Sequence, residues 1–124
     1  MKQTIRTEKA PAAIGPYSQA QKVGDFIFTS GQLGIDMETG KLAEGVEAQA
    51  HAAMKNLGQI LAAAGAGYAS ILKTTVFVKD LADFAKVNQV YAGYFEGDCP
   101  ARSCVQVAAL PLGGLVEIEA IARI

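Results

Sequence analysis

The stretch Ile71-Leu72-Lys73-Thr74-Thr75-Val76-Phe77-Val78-Lys79 decides the fold. It is rich in β-branched residues and alternates, which makes it a central strand. A period of two puts Thr75 and Phe77 on one side and Leu72, Val76 and Val78 on the other, so both faces carry apolar groups. Immediately downstream, Asp80 is a good N-cap for a helix with Asp83 in its first turn. That helix carries Phe84, Val87, Tyr91 and Tyr94/Phe95 on one side, and Gly97-Asp98-Cys99-Pro100 breaks it. Upstream, the spacing predicts a longer helix from Val46 to Ala64, with apolar residues at 46, 50, 53, 57, 60/61 and 64. Glu47, His51 and Lys55 occupy its opposite face, and Gly65 and Gly67 are its stop signals. Alanine fills much of the buried stripe, allowing close approach to a sheet.

Nearer the N-terminus, Ala10-Pro11-Ala12-Ala13-Ile14-Gly15-Pro16 reads as irregular chain. Tyr17 to Val23 and Phe26 to Ser30 flank Gly24-Asp25, a hairpin signal, and Gly31 and Gly34 end the second strand. Asp36 to Gly40 is a further turn. Two strands, Ala101 to Val107 and Val116 to Ile124, close the chain around the turn-rich Leu110 to Leu115. The order is β-β-α-β-α-β-β, an α+β layer sandwich with both helices on one sheet face. Two helices cover one face only. An apolar face left open in a soluble chain marks an oligomer interface, so a homo-oligomer is expected.

At 124 residues the chain suits one domain, 1–124. It is 51% hydrophobic and 19% charged, which excludes disorder. A net charge of −1 removes the electrostatic footprint of a nucleic-acid binder. Cys99 and Cys104 make no disulfide scaffold, and one histidine, His51, cannot complete a zinc site with them. No apolar run suggests a signal peptide or membrane span, so the cytoplasm is the expected compartment.

Few residues are left for chemistry. His51 lies on a polar helix face and reads as solvated. No glycine-rich phosphate loop follows a strand, and Asp36 and Glu38 lack a calcium-loop register. Cys104, mid-strand with no histidine near it in sequence, reads as an inert thiol. Alternation puts Arg102, Cys104 and Gln106 on one face of their strand, and Glu117, Glu119 and Ile121 on one face of theirs. Two readings fit these charges. One is a salt bridge between neighbouring strands; the other is a carboxylate-gripping arginine with a glutamate moving protons. The pattern does not choose between Glu117 and Glu119.

These blocks carry a resemblance. Ala10-Pro11-Ala12-Ala13-Ile14-Gly15-Pro16-Tyr17-Ser18-Gln19, Thr29-Ser30-Gly31-Gln32, Lys73 to Asp80, Pro100-Ala101-Arg102-Ser103-Cys104-Val105 and Val116-Glu117-Ile118-Glu119-Ala120 resemble the RidA/YjgF reactive-intermediate deaminases over essentially the whole length. The resemblance implies a chorismate-mutase-like (bacillary) fold, a mixed sheet with two helices on one face, assembled as a homotrimer with clefts between subunits. It implies cofactor-independent, metal-free hydrolysis of 2-enamino and 2-imino acids, 2-aminoacrylate and 2-aminocrotonate among them, to 2-oxo acids and ammonia. By the same resemblance Arg102 holds the substrate carboxylate, and Glu117 positions water and assists proton transfer. Tyr17 and Ser30 line the cleft, Gly31 lets the backbone approach the ligand, Asn88 adds a polar contact, and Cys104 lies beside the ligand through its backbone. The chain departs from relatives in the uncharged loop Leu112-Gly113-Gly114-Leu115 and in Ser18, both of which bear on substrate size. The competing expectation is a small-acid-binding or chaperone-like protein of the same fold. A ribonuclease, as some relatives are described, finds no basic-aromatic cluster here.

Overall fold

In the computed structural model, which describes residues 1–124, the chain runs β1 (Gln3–Ile5), β2 (Ala20–Val23), β3 (Phe26–Thr29), β4 (Gln32–Leu33), β5 (Ile35–Asp36), β6 (Lys41–Leu42), α1 (Val46–Ala63), β7 (Ile71–Val78), α2 (Phe84–Ala92), β8 (Ala101–Gln106) and β9 (Val116–Arg123). One mixed sheet has the order β1-β2-β3-β9-β7-β8, with β4 paired to β9 just past the end of β3. Its only parallel pair is β7–β8, joined through α2, as a parallel connection requires. β5 and β6 form a separate two-stranded hairpin around the expected Asp36–Gly40 turn. No helix is long and apolar enough to cross a membrane.

The long helix matches its predicted span to within one residue. Gly65, at φ +84°, ends it: its N–H donates to Ala62 O and that of Ala66 to Leu61 O, which closes the last turn. Gly67 is extended and takes no part in the stop. The buried side of α1 also holds two amides that apolar periodicity does not register. Gln49 donates to Ala43 O and accepts from Leu115 N, and Asn56 donates to Leu33 O and Ile35 O. Asn56 ties the helix to β4 and β5, and Gln49 ties it to the chain just after β6 and just before β9.

Four predicted details are corrected. Leu72 does not join Val76 and Val78 on the buried side, because the β7–β9 register shifts between Ile71 and Lys73. One extra residue in β7 leaves Leu72 bulged and 48% exposed, while Ile71 is buried in its place. Asp80 caps a 3-10 turn, Leu81–Asp83, by accepting from Ala82 N, and α2 begins only at Phe84. α2 ends at Ala92, so Tyr94 and Phe95 lie beyond it, still packed against Tyr68 and Tyr91. The Tyr17–Val23 strand enters the ladder only at Ala20, which leaves Tyr17 and Ser18 in the loop before it.

Val76, Val78, Val116, Ile118, Ala120 and Ala122 point from the sheet into the helix-covered core. The opposite face has no helix on it. Phe26, Phe28, Ile121 and Val105 stand there exposed, in line with the expected uncovered apolar face.

Candidate active site

Arg102 lies in β8 directly opposite Thr74 of β7 and therefore shares Thr74's helix-covered side. Its guanidinium sits against two rings of α2, 5.3 Å from the centroid of Phe84 and 5.1 Å from that of Tyr91. Between them, Nη1 donates to Asn88 Oδ1 at 2.6 Å. Phe84, Asn88 and Tyr91 are spaced four and three apart, so one stripe of α2 supplies the whole cradle. No carboxylate joins it. The chain's one salt bridge links exposed Arg123 and Asp25 at 3.9 Å, so the strand-to-strand bridge open to Arg102 in sequence is not formed. Arg102 is half-buried, and its guanidinium is held by neutral groups with hydrogen-bonding capacity to spare.

Glu117 lies opposite Phe77 in β7 and Leu33 in β4, on the sheet face without helices. Its carboxylate packs on Gly31: a Cβ there would come within 2.8 Å of Cδ and 3.0 Å of Oε1. Three residues, Thr29 to Gly31, oppose two of β9 where pairing passes from Phe28↔Ile121 to Gln32↔Ile118. Thr29 Oγ1 takes the Ala120 N–H left over at this bulge, at 3.0 Å. Ser30 has no partner in β9, keeps its backbone N–H on Gln19 O at 2.9 Å and donates its hydroxyl to Ser18 O. Burial, and secondarily the neighbouring Glu119 charge, push the Glu117 carboxyl above the usual carboxylate range. The structure thus separates the two glutamates by packing: Glu117 is the one set against Gly31.

The expected site residues therefore form two groups. Arg102, Asn88 and Cys104 gather on the helix side of β8, where Cys104 pairs with Val76. Burial pushes the Cys104 thiol up, so it is poorly suited to act as a thiolate, although Arg102 pulls the other way. Ser30, Gly31 and Glu117 gather at the β3–β4 bulge. Tyr17 stands exposed beside a cleft of about 580 Å³ that is also lined by Arg6, Ser18 and Gln19. The sheet separates Arg102 from Glu117 within one chain, and neither lines this cleft or the larger one of about 670 Å³ beside α1. His51 is exposed as expected, though its Nδ1 lies 3.0 Å from the Tyr94 hydroxyl. Phe84 and Tyr91, the ring partners of Arg102, and Gln19, the clasp of the N-terminal loop, are not among the site residues expected from the sequence. The Gln19 amide accepts from Thr7 N and donates to Thr7 O and Pro11 O. The signal for the rings was their spacing about Asn88.

Residues 7–124 match the family described as Endoribonuclease L-PSP, and the chain belongs to this family, that of RidA and YjgF. It is 55% identical over 124 residues to Reactive Intermediate Deaminase A, chloroplastic, of Arabidopsis thaliana, covering 99% of this chain and 66% of that protein. It is 54% identical over 123 residues to the 2-iminobutanoate/2-iminopropanoate deaminase of Mus musculus, covering 98% of this chain and 91% of the mouse protein. The crystal structure of RidA from an Antarctic Psychrobacter superposes with a TM-score of 0.95 at 52% identity, covering 98% of this chain and 99% of that one.

Proposed function

We propose that this protein hydrolyses reactive 2-enamino and 2-imino acids to 2-oxo acids and ammonia, without a cofactor. The observation that carries the reading is an arginine held only by neutral groups, with edge to spare for an anion, in a chain whose curated relatives bear deaminase names. Those names favour the enzyme over the small-acid-binding or chaperone-like alternative.

Arg102 takes the substrate carboxylate by charge-assisted hydrogen bonds. Asn88 steadies the guanidinium, while Tyr17, Ser30 and the Cys104 backbone shape the cleft, and Gly31 leaves room for the Glu117 carboxylate beside the ligand. The enamine tautomerises to the imine, and its protonated form is already a strong electrophile. Glu117 accepts a proton from water as the water oxygen bonds to C2 and the C=N π electrons move to nitrogen. The proton passes to the amine, the C–N bond breaks, and the carbinolamine becomes the 2-oxo acid as its hydroxyl proton leaves with ammonia. Orientation, one counter-charge and one proton-transfer group suffice.

Since the sheet separates Arg102 from Glu117, the cleft needs two protomers, Arg102 from one and Glu117 from its neighbour. The bare apolar face supplies the interface, and a chorismate-mutase-like homotrimer closes such a head-to-tail contact into a ring. Two free cysteines and no membrane-length helix suit the cytoplasm. The test couples the protein to a threonine dehydratase and follows 2-oxobutanoate formation. Wild type accelerates it, and Arg102→Ala, folded and trimeric, loses about a hundredfold or more in kcat/KM. Full activity in that variant removes the mechanism.

A further inference from the structure

Thr74 is an unusual occupant of its place in the fold. It points from β7 into the core beside Val76 and Val78, is 1% exposed, and sits under the helix layer. A hydroxyl there is costly unless paired, and its partner is the Tyr91 hydroxyl of α2, 2.7 Å away. Tyr91 is also the inner wall of the Arg102 cradle. It is 5% exposed and braced against Phe95, at 4.8 Å between ring centroids, whereas the outer wall, Phe84, is 37% exposed. Thr74 is, moreover, the residue directly opposite Arg102 in the parallel β7–β8 ladder.

These contacts close a loop. The Thr74 and Arg102 backbones share one register position; the Arg102 guanidinium lies on the Tyr91 ring; and the Tyr91 hydroxyl returns to the Thr74 side chain. The loop contains no acidic group, so it orders the guanidinium without neutralising it. A carboxylate doing the same work would occupy the hydrogen-bonding edge that an incoming anion needs. We infer that Thr74 and Tyr91 are a positioning pair, whose shared hydrogen bond locks the Tyr91 ring and thereby fixes the angle at which Arg102 presents its free edge to a substrate carboxylate. Neither residue touches substrate.

The inference rests on Arg102 being the anion-binding group proposed above, and the experiment separates the two. Thr74→Val, Tyr91→Phe, the double variant and Thr74→Ser are compared for steady-state deamination and, independently of activity, for 2-oxobutanoate binding by calorimetry. Each single loss of hydroxyl raises KM and the 2-oxobutanoate Kd by about five- to tenfold, the range one ordering hydrogen bond commands, with kcat within about twofold. The double variant is no worse than either single one, since both remove the same bond, and Thr74→Ser returns both constants to within about twofold of wild type. Unchanged KM and Kd in the singles, with only the melting temperature lowered, overturn the inference, as do effects that multiply in the double variant. Tyr91→Phe keeps the ring and the fold, so it carries the test should Thr74→Val fold poorly. Arg102→Ala that binds 2-oxobutanoate like wild type defeats instead the reading of Arg102 beneath it.

Discussion

On the helix side of the sheet, Arg102 is surrounded by side chains suited to its charge: two ring faces and one amide oxygen. On the bare side, Glu117 is pressed against the backbone of Gly31, with Glu119 beside it and no side-chain or backbone donor of the chain on its carboxylate. The first arrangement stabilises an ion and keeps it ready to bind. The second withholds stabilisation from an ion, which raises its basicity. A carboxylate meant to take a proton from water gains from such treatment, and a guanidinium meant to hold an anion gains from the opposite. In the proposed reaction each half is incomplete without the other.

The contrast can be broken most severely at Glu117. Glu117→Gln should lower kcat by about 10²- to 10⁴-fold, the range of a lost general base, in the dehydratase-coupled assay. It should not lower stability. A carboxyl raised above its unfolded value favours folding only in its protonated form, and that contribution is lost as pH rises through the folded pKa. The variant should therefore match wild type in acid and melt at or above it at neutral pH, as followed by thermal unfolding across that range. A large destabilisation at neutral pH would mean that the anion is stabilised after all.

Next in size is Gly31→Ala. The backbone there is not in the left-handed region, so the cost falls on the carboxylate, which the new Cβ would meet at 2.8 to 3.0 Å. Displacing it should reduce kcat by about ten- to a hundredfold with a smaller change in KM, because the carboxylate-binding half is untouched. The smallest effect sharpens the comparison. Glu119→Gln removes the lesser cause of the raised Glu117 pKa, so the acid limb of kcat/KM should move to lower pH while the plateau holds. If Glu119→Gln abolishes activity and Glu117→Gln does not, the two glutamates exchange roles.

Much of this is legible in the sequence. α1 was readable because a stripe repeated over 18 residues and Gly65 stood at its end. β1, β4, β5 and β6 are two or three residues long, too short for any period to declare itself. The bulge at Leu72 escaped because one inserted residue reverses facing while leaving the local alternation convincing. Alternation singles out Arg102 and the pair Glu117 and Glu119 and correctly describes the faces of β8 and β9 taken alone, while the choice of Glu117 and the addition of Asn88 come from a resemblance of motifs. Which face of β8 aligns with which face of β9 depends on the register of both with β7, a nonlocal quantity, so the separation of Arg102 from Glu117 stayed hidden. Tyr91 was seen, but as core, because an aromatic ring that backs a guanidinium has the same helical spacing as one that fills a cavity.

The most direct test of a cleft shared between protomers is complementation. Arg102→Ala and Glu117→Gln chains, each inactive alone, are mixed in equal amounts under conditions that let subunits exchange, and deamination is then assayed. Random head-to-tail assembly leaves about a quarter of the clefts with both native residues, so activity should return to about that fraction of wild type. Mixed oligomers that form and yet stay inactive would contradict the account.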